Sequence, residues 1–184
     1  MLTAISGATI LTENTGGDRH RPVLLKEAID LLRPRAGGSY VDATLGAGGH
    51  SREILLRSVP GGKLLGVDRD PKAIPAAKTN LTEFGDRVVC AAGNFADIER
   101  IAWIHGVAPA DGILLDLGVS SMQLDEPSYG FSFQRDGPLD MRFDPNAGMP
   151  AHQFINTAGE EQIADVLYKY GEERRSRQVA RQIV

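Results

Sequence analysis

From Val23 to Leu117 the chain switches repeatedly between two hydrophobic periods. "PVLLKEAIDLL" spaces its apolar residues at helical intervals behind Pro22, which suits a first turn. "SYVDAT" is a short apolar run of strand type, and "HSREILLRSV" returns to helical spacing until Pro60-Gly61-Gly62 stops it. "KLLGVDRD" reads as a buried strand, "PKAIPAAKTNL" as a helix, "RVVCAA" as a strand, "FADIERIAWIHG" as a helix and "ADGILLDLG" as a fourth strand. Alternating strands and helices predict an open parallel sheet with helices on both faces, an α/β Rossmann-like fold. Right-handed crossovers then put every carboxyl strand end on one rim, where such sheets bind ligands. Asp42, Asp68, the segment Gly93–Phe95 and Asp116 fall on that rim.

After Leu124 the pattern dissolves. "DEPSYGFSFQRDGPLDMRFDPNAGMP" is rich in Gly, Pro and Asp and has no strand period. Helical spacing resumes over roughly Pro150–Thr157 and Glu160–Tyr170, and again from about Glu172 to the end. The expected organisation is a polar leader over residues 1–17, a Rossmann-like part over 18–124, and an inserted loop and helical region over 125–184. Four strands make a small doubly wound sheet, so the chain reads as C-terminally truncated.

Composition narrows the classes. Of 184 residues, 42% are hydrophobic and 24% charged, as in ordinary globular proteins. The 21 glycines exceed the roughly 13 of average usage, and many lie in loops between apolar runs. Cys90 is the single cysteine, which rules out an internal disulfide, suits a reducing, cytoplasmic setting and reads as a buried, inert thiol. No apolar run approaches the ~18 residues of a membrane span. The four histidines show no metal-ligand spacing. With a net charge of −4, any nucleic-acid binding must come from a local basic patch.

The chemistry centres on "DATLGAGGHS". Gly46, Gly48 and Gly49 resemble a dinucleotide fingerprint, but Ser51 stands where the last glycine belongs. A plain tight turn explains the loop equally well. Asp68, about 20 residues further on, is placed to accept the hydroxyls of an adenosine ribose. Capping the next helix is the alternative role, and Asp70 can fill that instead. Loop and carboxylate together favour NAD or S-adenosylmethionine. Asp42 beside the loop would repel a pyrophosphate and suit an ammonium and a sulfonium, which leans toward S-adenosylmethionine.

"HRPVLLKEAIDLL", "DATLGAGGHS", "GVDRDPKAI", "DLGVSSMQLD" and "GFSFQRDGPLDMRFD" occur in that order, and together they resemble the ribosomal RNA small-subunit methyltransferase H family over roughly His20 to Val184. The resemblance implies an S-adenosylmethionine-dependent enzyme methylating N4 of a cytidine in small-subunit (16S) rRNA near the decoding centre, on an assembled or nearly assembled 30S particle. It implies cofactor contacts from Gly48, Gly49, His50, Asp68, Phe95, Asp116 and Gln123. It also implies that the helical region after the fourth strand serves RNA recognition. The alternatives are a truncated chain that binds cofactor or RNA without catalysis, and an NAD-dependent oxidoreductase.

A cytosine amino group is a poor nucleophile, so such an enzyme works mainly by positioning and preorganised hydrogen bonds, with no metal. Asp116 and the turn Gly118–Ser120 are expected beside the transferred methyl, with Ser120 or Ser121 bonding the base. Turn and cap formation is the competing role for these serines. Tyr129, Phe131 and Phe133 are candidates to stack an extruded base, or else anchors of an irregular loop. Arg135, Asp140 and Arg142 form a loop scaffold or touch phosphate. Arg174, Arg175, Arg177 and Arg181 are the one basic cluster, for which a solvated helix face is the default. His20 approaches the target site or caps the first helix.

Overall fold

The structure is a computed structural model in which residues 22–184 are described. The leader and His20 lie outside the described residues. Two compact units divide the described residues, the first ending at Val119 and the second running Ser120–Val184.

The first unit is built on four parallel strands, β1 (Ser39–Asp42), β2 (Lys63–Asp68), β3 (Val88–Ala92) and β4 (Gly112–Leu114), in the order β3-β2-β1-β4. Between them run α2 (Gly49–Arg57), α3 (Ala73–Asn80) and α4 (Ile98–Ile104), and α1 (Leu25–Leu32) precedes β1. Tyr40 and Val41 pair with Leu64 and Leu65 of β2 and with Gly112 and Ile113 of β4. The two-residue period of a strand sends neighbours to opposite faces, and two cores result. Tyr40 and Leu64 pack with Ile29, Ile54, Leu55, Ala77 and Leu81 from α1, α2 and the end of α3. Val41, Leu65 and Val67 pack on the other face with Ile101, Ala102 and Val107 around α4. The near-continuous apolar text of β2 follows from this two-sided burial. The architecture is the expected Rossmann-like α/β sheet.

Several local expectations shift. The strand read from "ADGILLDLG" is only three residues long, and Asp116 lies beyond its end. The last helix begins at Ser176, not near Glu172, because Glu172 takes a left-handed conformation that closes the preceding helix. Cys90 is half-buried at the edge of the first core, not enclosed.

The second unit opens with α5 (Ser121–Asp125) and a 3-10 turn over Pro127–Tyr129. An irregular segment then leads to α6 (Ala151–Thr157), α7 (Glu160–Gly171) and α8 (Ser176–Ile183). Ile163, Ala164 and Ala180 form a small core with Phe154, Ala158 and Leu167. The irregular segment is held by its own bonds. Met141 N–H donates to the Tyr129 carbonyl at 2.8 Å, and both oxygens of Asp140 accept from the Arg142 guanidinium at 2.8 and 2.7 Å. Asp140 and Arg142 are therefore a loop scaffold.

Candidate functional site

Parallel pairing brings four strand ends to one rim of the first unit, and the glycine loop grows from the end of β1. Leu45 N–H donates to the Val67 carbonyl at 3.0 Å, which lays the loop across the end of β2. Gly48 caps α2 with φ +87°, a left-handed value that disfavours a side chain. A Cβ there would also meet the Leu81 side chain at 3.0 Å. Gly46 has φ +50°, and nothing lies within 4 Å of where its Cβ would stand. The loop thus presents backbone, not side chains, along this stretch.

Asp68 anchors the loop as well as bordering it. Its Oδ2 accepts from Gly46 N–H at 2.7 Å and its Oδ1 from Asp70 N–H at 2.9 Å. Burial pushes its carboxyl up from the usual range, while these backbone donors pull it down. Asp70, fully buried, accepts from Lys72 N–H at 2.9 Å and so takes the role at the start of the next helical turn. That leaves the half-buried Asp68 facing the loop with acceptor capacity beyond the bonds it makes, since a carboxylate offers about four lone pairs.

Asp42 departs from expectation. Its side chain is fully buried and accepts from Ser51 Oγ at 2.7 Å and from Thr44 N–H at 3.2 Å. It ties β1 to α2 beneath the loop and does not line a ligand space. The serine in place of the last fingerprint glycine is the donor of that tie. Desolvation raises the Asp42 carboxyl above the usual value of 3.8.

His50, 6% exposed, sits in the first turn of α2 with Nδ1 4.0 Å from Asp116 Oδ2. Its Nε2 is buried and has no hydrogen-bond partner among the described residues. Asp116 keeps its carboxylate largely in solvent, while its N–H donates to Thr44 Oγ1 at 2.8 Å. Thr44 is a positioning residue that sequence reading passed over, although its place between β1 and the glycine loop marks it. Phe95 opens a 3-10 turn after β3 and exposes 44% of its surface on the same rim. Asn94 Oδ1 holds that turn by accepting from Ala96 N–H at 3.0 Å.

Ser120, Ser121 and Gln123 belong to the second unit. Ser120 caps α5: its Oγ accepts from Gln123 N–H at 3.3 Å, and Gln123 Oε1 accepts from Ser120 N–H at 2.9 Å. This reciprocal box uses Ser120 structurally, and the S-x-x-Q spacing announces it. Tyr129 is 4% exposed and stacks on Phe131 at 6.3 Å between centroids, with Phe143 5.6 Å beyond. Those rings hold the irregular loop together. Phe133, by contrast, is fully exposed. No group of three or more potential metal ligands occurs among the described residues, and no helix there is long and apolar enough to cross a membrane.

The model of the MraW methylase family matches residues 17–184. The chain belongs to the MraW methylase family. Within this family's company, the ribosomal RNA small subunit methyltransferase H of Thermomicrobium roseum is 48% identical over 177 residues, covering 96% of this chain and 54% of the relative. Its counterpart in Sorangium cellulosum is 50% identical over 165 residues, covering 90% of this chain and 52% of the relative. This MraW-family chain thus spans about half the length of the curated relatives it matches. A putative rRNA methylase from Clostridium thermocellum superposes with a TM-score of 0.44 at 21% identity, covering 56% of this chain and 58% of that one. That likeness is too slight to bear on fold or function.

Proposed function

We propose that the first unit binds S-adenosylmethionine at its strand-end rim, and that the protein methylates N4 of a cytidine in small-subunit rRNA near the decoding centre. One observation carries the proposal. A backbone-lined glycine loop, a carboxylate, an exposed aromatic ring and a second carboxylate converge on the ends of parallel strands within one unit. The chemistry of these donors and acceptors fits the cofactor. Asp68 has lone pairs left for vicinal ribose hydroxyls, Phe95 offers a flat face for a purine, and the buried His50 Nε2 lacks a partner. The same rim is poor for a pyrophosphate. Asp68 already occupies the Gly46 N–H that a phosphate would need, and Ser51 replaces the close-packing glycine. Membership of a methylase family and relatives named as small-subunit rRNA methyltransferases support the same reading.

When bound, the cofactor supplies a methyl group on a sulfonium, a strong electrophile. The chain's residues bind and orient. Asp68 fixes the ribose and holds the loop in one conformation. Phe95 covers the base, and Gly48 and Gly49 allow close approach of backbone at the entrance to α2. The solvent-facing Asp116 carboxylate accepts a hydrogen bond from the exocyclic amine. It then takes the proton that the nitrogen sheds on methylation and passes it to water. Thr44 and His50 keep Asp116 in place. The proposal includes a cytoplasmic setting, with an assembled or nearly assembled small subunit as the target.

The test is transfer of labelled methyl from S-adenosylmethionine to undermethylated small subunits, followed by nucleoside analysis. Label in N4-methylated cytidine is expected. Label at another atom of the RNA would contradict the assignment, and cofactor binding without any transfer would make this chain a binding module only.

A further inference from the structure

The second unit contains a cavity of about 380 Å³ between α7 and the start of α8. Asp165 and Tyr168 of α7 line one side, and Arg174, Arg175, Ser176 and Arg177 the other. Three features distinguish this place from an ordinary basic helix face. Among the described residues, none of the guanidinium groups of Arg174, Arg175 and Arg177 makes a side-chain ion pair, whereas Arg181 on the same helix lies 3.5 Å from Glu160. The carboxylate on the opposite wall is already neutralised, since Asp165 bonds Lys169 at 2.9 Å, and Lys169 with Arg177 holds its carboxyl below the usual range. Ser176, at the first position of the eight-residue α8, is 4% exposed, lines the cavity, and its hydroxyl has no hydrogen-bond partner among the described residues.

The Ser176 hydroxyl faces the cavity with its donor uncommitted, so a group inside the cavity can accept from it. Three guanidiniums outside any close ion pair, of which only Arg177 acts on the Asp165 carboxylate, gather at a helix start in a chain of net charge −4 and suit an anion. Tyr168, 61% exposed on the rim, gives the neighbouring ribose or base a flat surface. The cavity is open enough for a phosphodiester carrying its substituents, which an enclosed site for a free ion would exclude.

We infer that this cavity is a phosphate-binding site for the backbone of the RNA substrate, with Arg174, Arg175 and Arg177 supplying charge and Ser176 a hydroxyl donor to one phosphate oxygen. Contacts of this type set affinity and register without reading sequence. The inference rests on the rRNA reading above, and names where the second unit grips that substrate.

Fluorescence anisotropy of a labelled mixed-sequence RNA oligonucleotide on the full chain tests it. An Arg174→Gln, Arg177→Gln double variant is expected to weaken binding about tenfold or more and to lower the salt slope by about one to two. Ser176→Ala is expected to weaken binding about threefold with unchanged thermal unfolding, the scale of one lost hydrogen bond. Arg181→Gln removes the same charge outside the cavity and is expected to change affinity less than twofold, as a paired exposed charge does. An equal loss from Arg181→Gln would show diffuse charge attraction and overturn the site. Inorganic phosphate displacing RNA at concentrations comparable to the RNA itself would overturn the assignment to RNA backbone. S-adenosylmethionine titration of the same variants keeps the two readings apart. Wild-type cofactor affinity with lost RNA binding supports this site, and cofactor failure in the wild-type chain counts against the proposed activity alone.

Discussion

At the scale of single residues, the buried Asp42 under the rim behaves differently from a surface carboxylate. Asp42 is held by Ser51 and Thr44 in a fully buried site, and desolvation outweighs those bonds and raises its carboxyl above 3.8. As pH climbs through the raised value, the folded chain retains a proton that the unfolded chain has released, so stability falls. Asp42→Asn cannot titrate. The difference in melting temperature, variant minus wild type, is therefore expected to shift in the variant's favour as pH rises from 3.8 toward neutrality. A pH-independent difference would mean that Asp42 does not carry this strain. Gly48 supplies a second test. With φ +87° and Leu81 3.0 Å from the missing Cβ, Gly48→Ala is expected to cost about 1–2 kcal/mol in denaturant unfolding.

At the scale of elements, the hydrophobic period made the four strands and the helices between them legible, because strands buried on both faces and helices buried on one leave different spacings. The rim residues Asp68, Phe95 and Asp116 followed from the rule that parallel strands end together. What stayed hidden was orientation. Asp42 is adjacent to the loop in sequence, yet its side chain points into the interior, and nothing in the local text distinguishes the two outcomes. The aromatic run "SYGFSF" was ambiguous for the same reason: strand-like spacing in an irregular segment does not tell buried rings from exposed ones. Tyr129 stacks inside the loop while Phe133 stands in solvent. Tyr129→Ala is accordingly expected to destabilise the second unit by about 3–5 kcal/mol, and Phe133→Ala to change stability by less than about 0.5 kcal/mol. Circular dichroism during urea unfolding separates these, and equal effects would refute the division of labour.

At the scale of the whole molecule, the chain combines a sheet unit whose rim suits a nucleoside cofactor with a helical unit carrying an arginine-lined cavity. The cavity was not legible in sequence, since four nearby arginines look alike until Glu160 is seen to engage Arg181 and Ser176 to be buried. The rim was legible, and the central claim concerns it. Calorimetric titration of the chain with S-adenosylmethionine, with NADH in parallel, tests that claim most directly. Saturable binding of S-adenosylmethionine is expected, weakened at least tenfold, about 1.4 kcal/mol, by Asp68→Ala, with no binding of NADH. Binding of NADH without S-adenosylmethionine, or unchanged S-adenosylmethionine affinity in Asp68→Ala, would contradict it.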